Sequence, residues 1–152
     1  MRRRFQFVLA VSAWLPMAVA LAAQDGLPGY PAPPQVVAEI RQAVEDALSR
    51  FHAMDEAGLL ALVSAQYRTG TLTKAGIAEQ LRAIFTLHDQ VRARVRIDDV
   101  RMVGEHAWVY STGQVTGRLR VVGTTILVAS WERELEVGRR ENGRWRLYGY
   151  QQ

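Results

Sequence analysis

The chain has 152 residues, about one domain on the usual scale of roughly 100–200 residues. Its 49% apolar and 22% charged content excludes a disordered, collagenous or multi-domain chain, and the absence of cysteine excludes disulfides, zinc–thiolate sites, iron–sulfur clusters and cysteine nucleophiles. Net charge is +4, but Arg2, Arg3 and Arg4 supply three of the 19 basic residues, leaving 16 against 15 acidic, so charge gives no case for a nucleic-acid partner.

The three arginines precede Phe5 to Ala23, a run that is apolar except for Gln6, Ser12 and Pro16 and ends with Ala20 and Ala22 in an A-x-A arrangement. This is the charged, apolar and small-residue order of a secretory signal peptide, predicting residues 1–23 as a cleaved leader and a periplasmic or secreted bacterial protein. An uncleaved membrane anchor is the alternative, because 19 residues approach the lower limit of about 17–25 for a spanning helix. After cleavage no stable membrane span is expected. Residues 24–34, QDGLPGYPAPP, carry four prolines and two glycines and read as a flexible linker.

From Gln35, Val37, Ile40, Val44, Leu48 and Phe51 recur at helical spacing behind Pro33 and Pro34, predicting a first amphipathic helix. Asp55 can cap a short second helix carrying Leu59, Leu60 and Val63. A turn over Tyr67 to Thr71 follows, and Thr73 can cap a third helix whose Ile77, Leu81, Ile84 and Phe85 face inward, with Leu72 placed as a staple to Ile77. At Val91 the period changes to two. Val91, Ala93, Val95 and Ile97 alternate with Arg92, Arg94 and Arg96, and Asp98-Asp99 breaks the alternation, predicting a bulge. Gly104-Glu105 turns the chain into a strand with Ala107, Val109, Ser111, Gly113 and Val115 on one face and Trp108, Tyr110, Thr112, Gln114 and Thr116 on the other. The third strand sets Leu127, Ala129, Trp131, Arg133, Leu135 and Val137 on one face and Glu132, Glu134 and Glu136 on the other. Asn142-Gly143 marks the last hairpin, with Trp145, Leu147 and Gly149 beyond it. The fold class is α+β: three N-terminal helices on a bent antiparallel sheet of about four strands.

These residues resemble the nuclear transport factor 2-like superfamily, in its SnoaL-like and ketosteroid-isomerase-like branches. The segment RELEVGRRENGRWRL (133–147) puts an arginine, an N-G turn and a tryptophan where that family shows them, and Gly104-Glu105-His106-Ala107 is similar to its G-[DE]-x-A hairpin. The resemblance covers residues 35–152 and implies a cone-shaped, cystatin-like roll, a setting that hosts isomerases, dehydratases and noncatalytic binders alike. It also implies that isomerase chemistry of the ketosteroid kind is absent. Ala47 stands for the expected oxyanion-hole tyrosine, Ser130 for the carboxylic acid donor, and SAQYRTGTLTK carries no carboxylate for the base.

No His pair has metal-ligand spacing, and no serine-hydrolase, P-loop or dinucleotide motif occurs, so neither a metal nor a cofactor is expected. His88 beside Asp89 is either a general acid–base pair or a cationic helix cap. Arg133, on the face of Trp131 and Leu135, is expected to point inward to a buried carboxylate or a ligand group. Tyr67, Trp131 and Trp145 either line a conical pocket or pack the core. The ligand-site candidates are therefore Tyr67, His88, Trp131 and Arg133. Trp108 and Tyr110 on the opposite face, with Arg94 and Glu134 as a rim of both signs, are the candidates for a homodimer face. The expected role is binding a small, partly apolar molecule. The alternatives are a SnoaL-like lyase, hydrolase or isomerase, or a protein-interaction module.

Overall fold

A computed structural model describes residues 26–151. The expected leader, residues 1–23, lies outside the described residues. Of the expected linker 24–34, the described residues 26–34 are not free: β1 (Tyr30–Pro31) pairs antiparallel with Met102 and Arg101, and Arg101 donates to the carbonyls of Pro28 and Gly29 at 3.0 and 2.9 Å. Proline suits a strand of two residues at a sheet edge, where no N–H is needed.

The helices form where caps and periodicity placed them. α1 (Pro34–His52) starts on proline and buries Ile40 and Phe51. α2 (Glu56–Ala61) is capped by Asp55, whose carboxylate accepts from Gly58 N at 2.9 Å. The turn beyond it is a small ribbon of β2 (Arg68–Thr69) and β3 (Leu72–Thr73), and Thr73 then caps α3 (Lys74–Leu87), which buries Ile77, Leu81 and Ile84. Three long strands follow, β4 (His88–Val103), β5 (His106–Leu119) and β6 (Thr125–Glu141), and then β7 (Arg144–Leu147). The sheet has the order β1-β4-β5-β6-β7 with every pairing antiparallel, five strands where about four were expected, plus the β2-β3 ribbon. Asn142 and Gly143 close the last hairpin at φ 51° and 76°, the positive angles a two-residue I′ turn requires.

Strands of this length would run straight unless something bent them. Bulges do so: two in β4, at Asp89 and at Asp98, where Ile97 faces Ser111 and Asp99 faces Tyr110, and two in β6. In β6 the pairs Ser111–Glu134 and Gly113–Trp131 leave Glu132 and Arg133 opposite Thr112 alone, and Arg133 takes a left-handed φ of 46°. This bulge reverses the facing of all that follows it. Trp131 still points inward, but Glu134 and Glu136 now point inward too, while Leu135 and Val137 turn outward as partners of Tyr110 and Trp108.

The core is two clusters. Phe51, Val63, Tyr67, Ile77, Leu81, Ile84, Val91, Val115 and Trp131 form one; Ile40, Val100, Met102, Ala107 and Val109 form the other. Between them the helices and the concave face of the sheet do not meet.

Candidate functional site

The gap is a cavity of about 310 Å³. Its helical wall is the α1 stripe of Ile40, Ala43, Val44, Ala47, Leu48 and Phe51, and its sheet wall includes Ala93, Val95, Val109, Val115 and Trp131. Small alanines on α1 keep the wall open. On the sheet, a Cβ at Gly113 would lie 2.4 Å from the Trp131 ring, so glycine there lets the indole lie flat on β5. The indole N–H donates to Ser111 Oγ at 3.1 Å, leaving its hydrocarbon face to the cavity.

Two charged residues, Glu136 and Arg146, stand among this lining. Arg146 is anchored by a bond to the Ala61 carbonyl at 3.1 Å and lies 3.8 Å from Glu141. Among the described residues Glu136 has no such partner. It is half-buried in the cavity lining, and desolvation, with the neighbouring Glu134 carboxylate adding to it, pushes its carboxyl from the ordinary 4.5 up to about 8. Glu134, on the same inner side, is also raised by burial, and its Oε2 is buried without a hydrogen-bond partner. The Tyr67 hydroxyl is pushed up to about 12, by burial first and the field of Glu136 second. At neutral pH the polar end of the cavity is thus a protonated carboxyl able to donate a hydrogen bond.

The four ligand-site candidates separate in space. Trp131 lines the cavity, and Tyr67 is buried in the core within the field of Glu136. Arg133, expected to face inward, is instead exposed on the bulge, bonded through its backbone N to Thr112 Oγ1 at 3.1 Å. The sequence alternation carried straight through a bulge that the chain uses to change face. His88 is buried at the α3–β4 junction, away from the cavity lining. Its Nδ1 lies 2.8 Å from the Ile84 carbonyl, and its ring rests on Gly117, where a Cβ would come within 2.4 Å. Asp89 turns to Arg118 at 2.8 Å rather than to the imidazole. Trp145 lines the cavity and also reaches Glu39, donating from Nε1 at 2.8 Å; that bond, with Arg140 beside it, holds the Glu39 carboxyl below its usual range.

The four dimer-face candidates separate as well. Arg94, Trp108 and Tyr110 lie on the outer face, but Glu134 lies on the inner one for the reason that moved Glu136. Trp108 is half-buried, partly by this chain's own C-terminal segment: Tyr150 packs edge-on against it at 5.5 Å, and Tyr148 and Gly149 donate to the Val137 carbonyl at 2.8 and 3.1 Å.

Glu136, which sequence reasoning missed, had one signal. Trp108 and Tyr110 need apolar cross-strand partners, and Leu135 and Val137 can supply them only if Glu136 between them faces the other way. Among the described residues no group of three or more His, Asp or Glu stands where it could hold a metal.

Three helices laid on a bent antiparallel sheet so as to leave an apolar cone define the nuclear transport factor 2-like fold, and this chain has it. No family model matches the chain, and no curated protein matches it in sequence. Solved structures do. A ketosteroid isomerase-like protein from Erwinia carotovora atroseptica is 20% identical with a TM-score of 0.59, the match covering 77% of this chain and 94% of that one. A type 2 hexachlorocyclohexane dehydrochlorinase, LinA, is 12% identical at 0.58, covering 76% and 82%. A protein of unknown function with a cystatin-like fold from Nostoc punctiforme is 14% identical at 0.59, covering 78% and 90%.

Proposed function

We propose that the cone binds a small, largely apolar molecule offering one hydrogen-bond acceptor, such as a carbonyl oxygen, to the protonated carboxyl of Glu136. The observation that carries this reading is the pairing of a wall built of aliphatic and indole surface with one desolvated carboxyl in the lining, that of Glu136. An empty apolar cavity forfeits contacts that a fitting guest restores, and a buried donor without a partner gains most from an acceptor. A volume of about 310 Å³ is at the small end of ligand sites, which run from about 300 to 1,000 Å³. The ketosteroid isomerase-like and dehydrochlorinase structures that share the fold carry names of enzymes for small organic molecules, which supports the ligand class.

The test is a calorimetric titration with an aryl alkyl ketone. One molecule is expected per chain. Ala47→Leu, which fills the cavity from α1, is expected to abolish binding, and Glu136→Leu to weaken it several-fold, the net worth of about one hydrogen bond. A saturable ketone site untouched by Ala47→Leu would refute the cone as the site.

A second reading, proton transfer on the bound molecule, is favoured by one observation. A carboxyl held near 8 is matched to an acid–base task at neutral pH, and Tyr67 stands within its field. It separates from simple binding by turnover that follows a group of that value and disappears in Glu136→Gln.

Two further proposals rest on the sequence and on the outer face. Export with cleavage near Ala22 or Ala23 is checked by the intact mass of protein recovered from an exporting bacterium; retention of Met1 to Ala22 in a membrane fraction would show an anchor instead. Self-association through Trp108 and Tyr110 is checked by sedimentation. A dimer is expected, with Trp108→Glu shifting it to monomer, and a wild-type monomer at tens of micromolar, a concentration on the order of weak association constants, would refute it.

A further inference from the structure

The hairpin joining β5 to β6 carries apolar side chains at the point where a surface loop is normally polar. Its turn reads Arg120-Val121-Val122-Gly123-Thr124, with Val121 95% and Val122 66% exposed, and Leu127 behind it and Leu87 at the end of α3 are exposed too. The tip is held in place. Arg120 N donates to the Leu87 carbonyl at 3.1 Å, its guanidinium donates to the carbonyls of Thr86 and Phe85 at 3.0 Å each, and Gly123 N closes the turn on the Leu119 carbonyl at 2.8 Å. The valines are therefore presented on a braced, convex point rather than on a loop free to fold them away.

Behind this point arginines outnumber carboxylates. Residues 87–94 and 114–130 contain four arginines and one carboxylate, Asp89, which is engaged by Arg118. Arg92 and Arg94 project from the outer face of β4, and among the described residues no carboxylate pairs with either of them. We propose that this end of the molecule docks on a bilayer containing anionic lipids, with Val121 and Val122 entering the interface while Arg92 and Arg94 meet lipid phosphates.

At about 3.3 Å per strand residue, Arg92, paired with Thr116, stands roughly 17 Å behind Val121 and Arg94, paired with Gln114, roughly 23 Å, so the two reach the headgroup level when the hairpin lies tilted on the surface rather than upright. Guanidinium groups suit phosphate because their donors engage two oxygens at once. A protein partner of ordinary affinity would need a flat patch of about 800 Å², and a convex point two valines wide does not offer one. This docking is independent of the ligand reading, since the tip contributes no residue to the cavity lining.

The absence of native cysteine permits a local test on the full chain. Val122→Cys, carrying a nitroxide label, is mixed with vesicles of phosphatidylglycerol or of phosphatidylcholine, and a second chain is labelled at Gly143→Cys on the hairpin at the other end of β6. With anionic vesicles the label at 122 is expected to become accessible to oxygen and shielded from a nickel chelate, while the label at 143 stays aqueous. Arg92→Gln with Arg94→Gln is expected to lower the immersed fraction about tenfold or more, at roughly fivefold per surface arginine. An aqueous label at 122 on vesicle-bound chain would overturn the proposal, because another segment would then be doing the binding. A label already shielded without vesicles would overturn it in favour of a contact between protein copies. Equal immersion in phosphatidylcholine, or immersion unchanged by the arginine variants, would overturn the role assigned to the cations.

Discussion

Replacing Glu136 by glutamine should make the protein more stable, by an amount that grows with pH. In the unfolded chain this carboxyl ionises at its ordinary 4.5, whereas in the folded chain it holds its proton up to about 8. Between those values the folded state binds more protons than the unfolded one, so the residue's contribution to stability falls as pH rises through that window and is flat outside it. At 1.36 kcal/mol per pH step, the gap amounts to about 5 kcal/mol in full and about 3 kcal/mol at pH 7. Glutamine resembles the protonated carboxyl in size and polarity but cannot ionise. The variant should therefore match wild type near pH 4, exceed it by about 3 kcal/mol at pH 7, and reach the full difference above pH 8. Asp89, Asp98, Glu39 and Glu141 have carboxyls held below their usual range, so they stabilise above it and lose that contribution on acidification. Being common to both proteins, they drop out of the comparison. Urea unfolding of both chains from pH 4 to 9 measures the difference. Parallel stability curves would refute the desolvation of Glu136, and with it the polar end of the cavity.

Arg133→Gly should leave the protein as stable or raise it by up to about 1 kcal/mol, since it relieves a left-handed residue on an exposed bulge. Arg133→Met should stay within about 0.5 kcal/mol; a loss of about 3–5 kcal/mol in thermal melts would reveal a buried ion pair that the bulge geometry does not contain. Gly117→Ala should cost about 1–3 kcal/mol, because its methyl would sit 2.4 Å from the His88 ring, and His88→Ala in the same chain should recover part of that loss; additive costs would show that the two do not touch.

The helices were legible because caps are local. Asp55 and Thr73 accept from backbone N–H groups three residues on, a relation set by spacing alone. The Asn142-Gly143 turn and the Asp98 bulge were legible on the same grounds: positive φ suits these residue types, and two adjacent aspartates break an alternation visibly. The bulge at Glu132 and Arg133 was not legible, because Leu135 and Val137 continue the phase of Trp131 and the strand reads as unbroken. One extra residue there exchanged the inner and outer sets, turning Arg133 from an inward anchor into a surface group and Glu136 from a surface group into the carboxyl of the cavity. Tyr30 and Pro31 escaped notice for another reason, since a two-residue edge strand has no periodicity to read. The cavity depends on where α1 sits over the sheet, a long-range relation that the alanine-rich stripe permits and does not specify.

The most direct measurement is the carbon-13 titration of the Glu136 carboxyl, followed with and without the aryl ketone. Without ligand the midpoint should fall near 8; saturation with ketone should move it higher, because the carbonyl accepts only from the protonated form. A midpoint in the ordinary carboxylate range, or one that bound ketone leaves unmoved, would contradict recognition of an acceptor at this carboxyl.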